Sequence, residues 1–370
     1  VHFDEIAKDK IFSSIDKIKG IRSIIKSSYK TLKNRLGQVP YLLDFYENGE
    51  VDPLVIIREY KTYQAFLEAE EKELYTGRVT EQEKVILEYL AKTVLSGVRP
   101  YELEILKYLL NQDSVQIKDI KREFQVKYGY EVDMTSFLNA VDVLKGGFVS
   151  KEEESVKYSH AYIVRDVDGQ MFRRVAEFAG RLEHAEFFKQ VNDIVEVGLR
   201  RYRDKYLLGR TGKSPLVLYE KYSRRDVSLL MNCGKDMSST MYGMKRIGDD
   251  VFIFVTYHKE TSDEAGKSYV EGKPDYADAF EDNMIFRWDS QIGRGVKSSY
   301  VKDVVSAPRK HLLVKKSDSE MNFYYMGQFD VIEVRAAKKK DNNGKERDIA
   351  KFQMKMHHAV REDLLRYLQS

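Results

Sequence analysis

Residues 250–257 read Asp250-Val251-Phe252-Ile253-Phe254-Val255-Thr256-Tyr257, a run of β-branched and aromatic residues that predicts a strand. Lys310-His311-Leu312-Leu313-Val314, Asn322-Phe323-Tyr324-Tyr325-Met326-Gly327, Asp330-Val331-Ile332-Glu333-Val334 and Ala350-Lys351-Phe352-Gln353-Met354-Lys355-Met356 carry the same signature. Asp341-Asn342-Asn343-Gly344 has the composition of a hairpin turn between the last two. From Leu207 onward the apolar period is therefore two. A helix is expected from Pro215 to Tyr222, leading into residues 225–230, and another over residues 361–368. Residues 207–370 read as a mainly antiparallel, barrel-like domain with flanking helices.

Upstream the rhythm is helical. Ile6, Ile11, Ile15 and Ile18, then Ile21, Ile24, Ile25, Tyr29, Leu32 and Leu36, form apolar stripes punctuated by Gly20 and Gly37. Such stripes are the core faces of helices. Pro40 and Pro53 open two short helices, and residues 63–74 are amphipathic and acidic. Thr80, with Glu83 three residues on, caps a helix that Gly97 ends. Residues 1–97 thus read as helices around a plain helical core.

Residues 98–206 differ. Helices are expected at 100–110, 115–128 and 134–145, after which Gly146-Gly147 turns into alternating stretches at 148–149 and 158–164. Three helices and a hairpin is the order of a winged helix. Its third helix is almost uncharged between Thr135 and Asp142, and phosphate binding needs Lys and Arg, so a packing role is favoured over base reading. A long helix from about residue 171 to 203 follows. Its basic end, Arg200-Arg201-Tyr202-Arg203, suits a helix C-terminus. The fold class is α+β and multidomain: a helical connector with a winged-helix-like part, then a β pseudobarrel.

The 370 residues are 42% hydrophobic and 33% charged, a globular profile. No apolar run approaches the roughly 20 residues of a membrane span. The polar start Val1-His2-Phe3-Asp4-Glu5 lacks signal-peptide character. A cytoplasmic location without a membrane partner is expected, and Val1 in place of Met predicts a longer parent chain. The single Cys233 excludes a disulfide framework and a thiolate-cluster metal site. The net charge of +3 is uneven: residues 1–205 carry −2 and residues 206–370 carry +5. An anionic partner belongs with the second part.

Catalytic patterns fail on spacing. Gly212-Lys213-Ser214 resembles the end of a phosphate loop, but the required glycine five positions earlier is Leu207, and Pro215 follows. His258-Lys259 and His311 lack the spacing of a phospholipase-D-type nuclease half-site. Pro274-Asp275 is followed only by Asp289-Ser290-Gln291, with no lysine on a following strand for a two-metal nuclease. His357 and His358 on a strand point to opposite faces. No catalytic, cofactor-binding or metal residues are assigned.

Basic and aromatic groups remain. Tyr222-Ser223-Arg224-Arg225 lies at the barrel entry, and Ser238 to Arg246 places Tyr242, Lys245 and Arg246 among hydroxyl side chains. Phe286-Arg287-Trp288-Asp289-Ser290-Gln291 holds the only Trp, read either as a core aromatic or as a stacking ring. Gly293-Arg294-Gly295-Val296-Lys297-Ser298-Ser299-Tyr300 is a basic loop suited to phosphates, with Lys302 just beyond. Lys338-Lys339-Lys340 beside the turn is read either as a further basic feature of this kind or as a strand edge kept soluble by Lys.

Leu218 to Val227, Ser239 to Gly243, Ile253 to Lys259, residues 286–291, His311 to Asp318 and Phe323 to Gly327 together resemble a C-terminal domain family of bacterial superfamily-two helicases. The resemblance covers about residues 207–356. Val39 to Tyr46 with Val51 to Leu54 resembles the helical segment that follows the motor in the same proteins. The architecture is similar to that of SauUSI-like type IV restriction enzymes: a phospholipase-D-type nuclease, a helicase motor, then this tail. The resemblance implies a connector plus a target-recognition domain for double-stranded DNA carrying methylated or hydroxymethylated cytosine. The partner helicase and nuclease domains would lie upstream, and ATP and Mg would belong to that motor, with no cofactor in this part.

Two docking modes stay open. A pseudobarrel of the SET- and RING-associated kind flips the cytosine into an aromatic pocket. One of the plant-transcription-factor kind grips the major groove with two loop arms, here residues 234–246 and 289–300. For a pocket, Tyr242, Tyr257 and Trp288 are candidate aromatics, and Asp289, Thr256 and Ser290 candidate polar readers, Asp289 accepting from the cytosine N4 amino group. Arg224, Arg225, Lys245, Arg246, Arg294, Lys297 and Lys302 are candidates for the DNA backbone. A helicase accessory domain without modification specificity and a protein-interaction module are the alternatives.

Overall fold

The strand read at 250–257 is an interior strand of a large mixed sheet, next to its edge. The structure, a computed structural model, describes residues 6, 19–71, 78–209, 214–258, 261–262, 268–269, 278–341 and 343–370. Two units divide it. One comprises residues 15–215 and 225–238, the other residues 1–14, 216–224 and 239–370.

The helical unit opens with α1 (Lys19–Leu36), α2 (Leu42–Asn48), α3 (Pro53–Tyr60), α4 (Tyr63–Glu71) and α5 (Glu81–Val94). Asp52 caps α3 ahead of Pro53, and Thr80 and Glu83 form the capping box of α5. Next come α6 (Tyr101–Asn111), β1 (Ser114–Gln116), α7 (Ile117–Tyr128), α8 (Met134–Asp142), α9 (Glu152–Lys157), β2 (Val164–Asp166) and β3 (Met171–Arg174). The three strands form an antiparallel sheet in the order β1-β3-β2. The hairpin therefore lies at 164–174 and not at 148–164, where residues 152–157 are helical. Its turn is built by Asp166, Asp168 and Gly169, the last at φ 77°. Nor does one helix run from 171 to 203. After β3 come α10 (Ala176–Arg181) and then α11 (Ala185–Arg201). The basic end of α11 is engaged internally: Arg201 is buried and pairs both nitrogens with Asp52, at 2.8 and 2.7 Å.

The β unit contains β4 (Lys221–Tyr222). Then α12 (Arg224–Leu230) runs into the helical unit, to which residues 225–238 belong. Residues 215–222 are not a helix: Tyr219 has φ 67°, and Lys221 and Tyr222 pair with a sheet strand. The main sheet comprises β4, β5 (Met244–Ile247), β6 (Asp250–His258), β9 (Ala279–Phe280), β10 (Ile285–Asp289), β11 (Arg309–Ser317), β12 (Phe323–Lys340) and β13 (Glu346–Met356). The short β7 (Thr261–Ser262) and β8 (Ser268–Tyr269) pair separately. The order is β5-β6-β11-β12-β13-β10-β9, with β4 on β12. The β6–β11 pair is parallel and the other pairings are antiparallel. The two segments expected at 322–327 and 330–334 are one strand, β12, with a register shift between Val331 and Glu333. Helices α13 (Ser299–Ser306) and α14 (Glu362–Gln369) complete the unit.

Alternation decides the two faces. On β6, Val251, Ile253 and Val255 join the core with Trp288, Phe352 and Met354, whereas Phe252 and Phe254 face the other side. At the mouth of the parallel pair Asp250 accepts from Arg309 Nε and Nη2, at 2.8 and 2.7 Å, and lies 2.9 Å from His311 Nε2. Burial opposes its charge, but these hydrogen bonds prevail and lower its pKa to about 2. The folded value lies below the unfolded one, so the contribution is present above about pH 4 and is lost as pH falls toward 2. Asp250→Asn is expected to cost about 1.5–3 kcal/mol. Thermal melts from pH 6 to 2 should show its stability falling less steeply than the wild type's between pH 4 and 2.

Candidate nucleic-acid interface

Phe254 and Phe323 meet edge-on at 5.2 Å on the sheet face away from the core. The Arg224 guanidinium lies over both rings, at 5.5 and 4.9 Å, and over Tyr242 at 5.1 Å. Lys315 approaches the same Phe323 ring to 5.3 Å and donates to the Glu320 carbonyl. Burial pushes the pKa of Arg224 down. Burial also lowers that of Lys315; Asp318 opposes the shift and the charge of Arg224 adds to it. The Asp318 carboxylate, 3.8 Å from the Lys315 ammonium, already balances part of this paired positive charge.

Tyr242 differs from its neighbours: its side chain is 62% exposed. It sits on a turn fixed from two sides. Phe254 N–H donates to the Gly243 carbonyl, and the Gln291 amide donates to the Tyr242 carbonyl at 2.9 Å. Gly243 has φ 72°, and a Cβ there would lie 3.0 Å from both Gln291 Nε2 and the Tyr300 hydroxyl, so glycine is required.

Gln291 begins the basic loop. Ser290, fully buried, accepts from the Ala350 N–H and donates to the Arg294 carbonyl, at 2.8 and 2.6 Å. Gly293 N–H donates to the Asp348 carbonyl, and Ser298 caps α13 through Val301 N–H. The loop backbone is thus held at both ends while Arg294 and Lys297 stay exposed, Arg294 over the Tyr300 ring at 5.8 Å. Such a loop can grip phosphates without first being ordered. The basic loop ends at Ser298; Tyr300 and Lys302 belong to α13, where Lys302 is exposed.

The structure brings Arg224 into contact with Tyr242, whose turn Gln291 ties to the loop of Arg294 and Lys297, and puts Thr256 on the Phe254 face of β6. It does not bring the rest there. Trp288, 3% exposed, packs on Phe352 at 5.0 Å and Tyr300 at 6.0 Å, which settles its two readings in favour of the core. Asp289 is buried as well, and its N–H donates to Asp278. Tyr257 is half-buried against the core, its hydroxyl accepting from Phe280 N–H. Arg246 joins β5 to α13 through Asp303 and Ser306, both at 3.1 Å, and Lys245 is half-buried. Arg225 is removed from the backbone-contact set. It is buried in the helical unit, where Asp236, Thr93 and the Phe148 carbonyl take its guanidinium, so no phosphate reaches it.

Lys315 and Phe323 were missed as site residues. Both lie in the segments quoted for the family resemblance, but only the sheet register carries them to Arg224. Among the catalytic decoys, His311 is buried between Asp250 and Tyr325, and His258 lies 2.8 Å from the Leu368 carbonyl. Gly212, Lys213, Lys259 and Asp275 lie outside the described residues. Among the described residues no group of three or more His, Cys, Asp or Glu is placed to hold a metal, and no helix is long and apolar enough to cross a membrane.

Two families match parts of the chain. Residues 25–204 match a domain of unknown function, DUF8090, and residues 216–368 match a second, DUF3427. No curated protein matches. Among solved structures, Arabidopsis thaliana SUVH6 in complex with SAM aligns at 12% identity and a TM-score of 0.28. That alignment covers 48% of this chain and 34% of the other, about a third of the length of SUVH6. The sulfur-binding and SRA domains of ScoMcrA with phosphorothioated DNA align at 10% identity and a TM-score of 0.23, over 78% and 90%.

Proposed function

We propose that the β unit recognises double-stranded DNA and distinguishes modified from unmodified cytosine. In this reading it is the target-recognition part of an ATP-dependent, modification-dependent restriction enzyme of the SauUSI-like kind. A nuclease and a helicase motor lie upstream, and residues 1–97 are the connector after that motor. The observation that carries it is Tyr242, an exposed aromatic backed by Arg224 and tied through Gln291 to the loop of Arg294 and Lys297. Cations supply affinity for phosphates without reading sequence, and an aromatic ring supplies apolar contact with a base edge. The C5 substituent of cytosine lies on the major-groove edge, where such a contact can sense it. Trp288, Asp289 and Ser290 are buried among the described residues, which favours groove reading over base flipping.

The β1-β3-β2 sheet behind α6, α7 and α8 supports reading that segment as a winged helix. Its third helix keeps a packing role: Asn139 is engaged by Arg99 and by the Cys233 carbonyl, and Lys145 pairs with Asp142. Tyr242→Ala, in the whole chain, is expected to bring the ratio of affinities for methylated and unmodified duplexes close to one while the salt dependence stays unchanged. Equal affinities already in the wild type would favour a helicase accessory domain without modification specificity.

A further inference from the structure

The outer half of the β12–β13 hairpin enters the interface described so far only where Ala350 and Asp348 anchor the basic loop, yet it holds most of the surplus charge. The pairing of β12 with β11 ends at Gln328, opposite His311, and that of β13 with β10 ends at Lys351, opposite Asp289. From there to Lys340 and Glu346 no further strand pairs with the two among the described residues, and residues 290 and 293 bond to the β13 backbone only at Ala350 and Asp348. Six residue pairs extend this ribbon by about 20 Å at about 3.3 Å per residue. Residues 335–351 hold seven Lys and Arg against three Asp and Glu, a net +4 within a C-terminal part of +5.

The ribbon also starts where the basic loop is anchored. Gly293 donates to the Asp348 carbonyl, and a Cβ on Gly295 would lie 2.9 Å from Asp348 Cβ, so loop and ribbon touch. Lys338 and Arg347 face Glu346 and Asp341, but Lys340 and Lys345 are exposed with no ion-pair partner among the described residues. We propose that the paired residues 335–340 and 346–351 form a basic β-ribbon that enters the major groove of duplex DNA while the 291–298 loop holds the flanking phosphates. This rests on the reading of the β unit as DNA-binding. A major groove about 12 Å wide and 8.5 Å deep admits a two-stranded ribbon.

The test uses the whole chain, with Lys340→Ala/Lys345→Ala beside Arg294→Ala/Lys297→Ala, on one duplex across a range of salt. The ribbon variant is expected to melt like the wild type. Its log–log salt slope should fall by about two units. Protection of guanine N7 from dimethyl sulfate, present with the wild type, should recede. If the ribbon variant keeps the wild-type slope and N7 protection while the loop variant still weakens binding, the ribbon proposal is overturned and the DNA reading stands. If the wild-type chain binds no duplex, or prefers RNA or single strands, both fall.

Discussion

Trp288→Ala is expected to unfold the β unit rather than to disarm a binding pocket. The indole packs against Phe352, its partner across the β10–β13 ladder, and against Tyr300 of α13. Removing a buried Trp costs about 3–5 kcal/mol, of the same order as the whole stability of many domains. Because Trp288 is the only Trp, its fluorescence in the wild type reports the unfolding of this unit directly. The expected results are a blue-shifted native emission and, for the variant, loss of the cooperative urea transition seen by circular dichroism for this unit. A Trp288→Ala protein with wild-type stability and reduced DNA binding would return the residue to the interface.

The loop variant Arg294→Ala/Lys297→Ala should have the largest effect on binding with the fold intact. Both side chains are exposed, and the loop backbone is held by Ser290, Gly293 and Ser298, none of which changes. Each lost phosphate contact removes about 0.9 from the log–log salt slope, so the pair should flatten it by about two units. Affinity should fall about tenfold or more near physiological salt, equally for methylated and unmodified duplexes, because phosphate contacts position without reading sequence. Fluorescence anisotropy over a salt series measures both quantities. A loss confined to methylated DNA would mean that the loop reads the base.

Elements whose signals are local were legible in the chain. The Thr80–Glu83 capping box, the proline-led helices and the apolar run of β6 fold as their residues dictate. Gly344 N–H donates to the Asp341 carbonyl between β12 and β13, where the hairpin turn was expected. What was hidden depends on distant partners. Met171 to Arg174 resembled the start of a helix, yet β1 completes it as a strand, and the Asp168-Gly169 turn was its overlooked local sign. The parallel β6–β11 pairing joins strands about fifty residues apart, and no periodicity announces it. Arg224 and Arg225 are neighbours in sequence with opposite fates. The first enters an aromatic cage of the β unit and the second a buried network of the helical unit. One helical step separates them, so the pair's composition carried no hint of the division. Trp288 shows the same limit: strand alternation puts it on the core side with Phe286, and composition alone left both roles open.

The most direct test of the central claim is the affinity of the whole chain for two duplexes of one sequence, identical except for methylation of a cytosine, over a salt series. Tighter binding to the methylated duplex on top of a steep salt dependence common to both is the predicted result. Binding to either duplex that is insensitive to salt, or equal affinity for both, would contradict it.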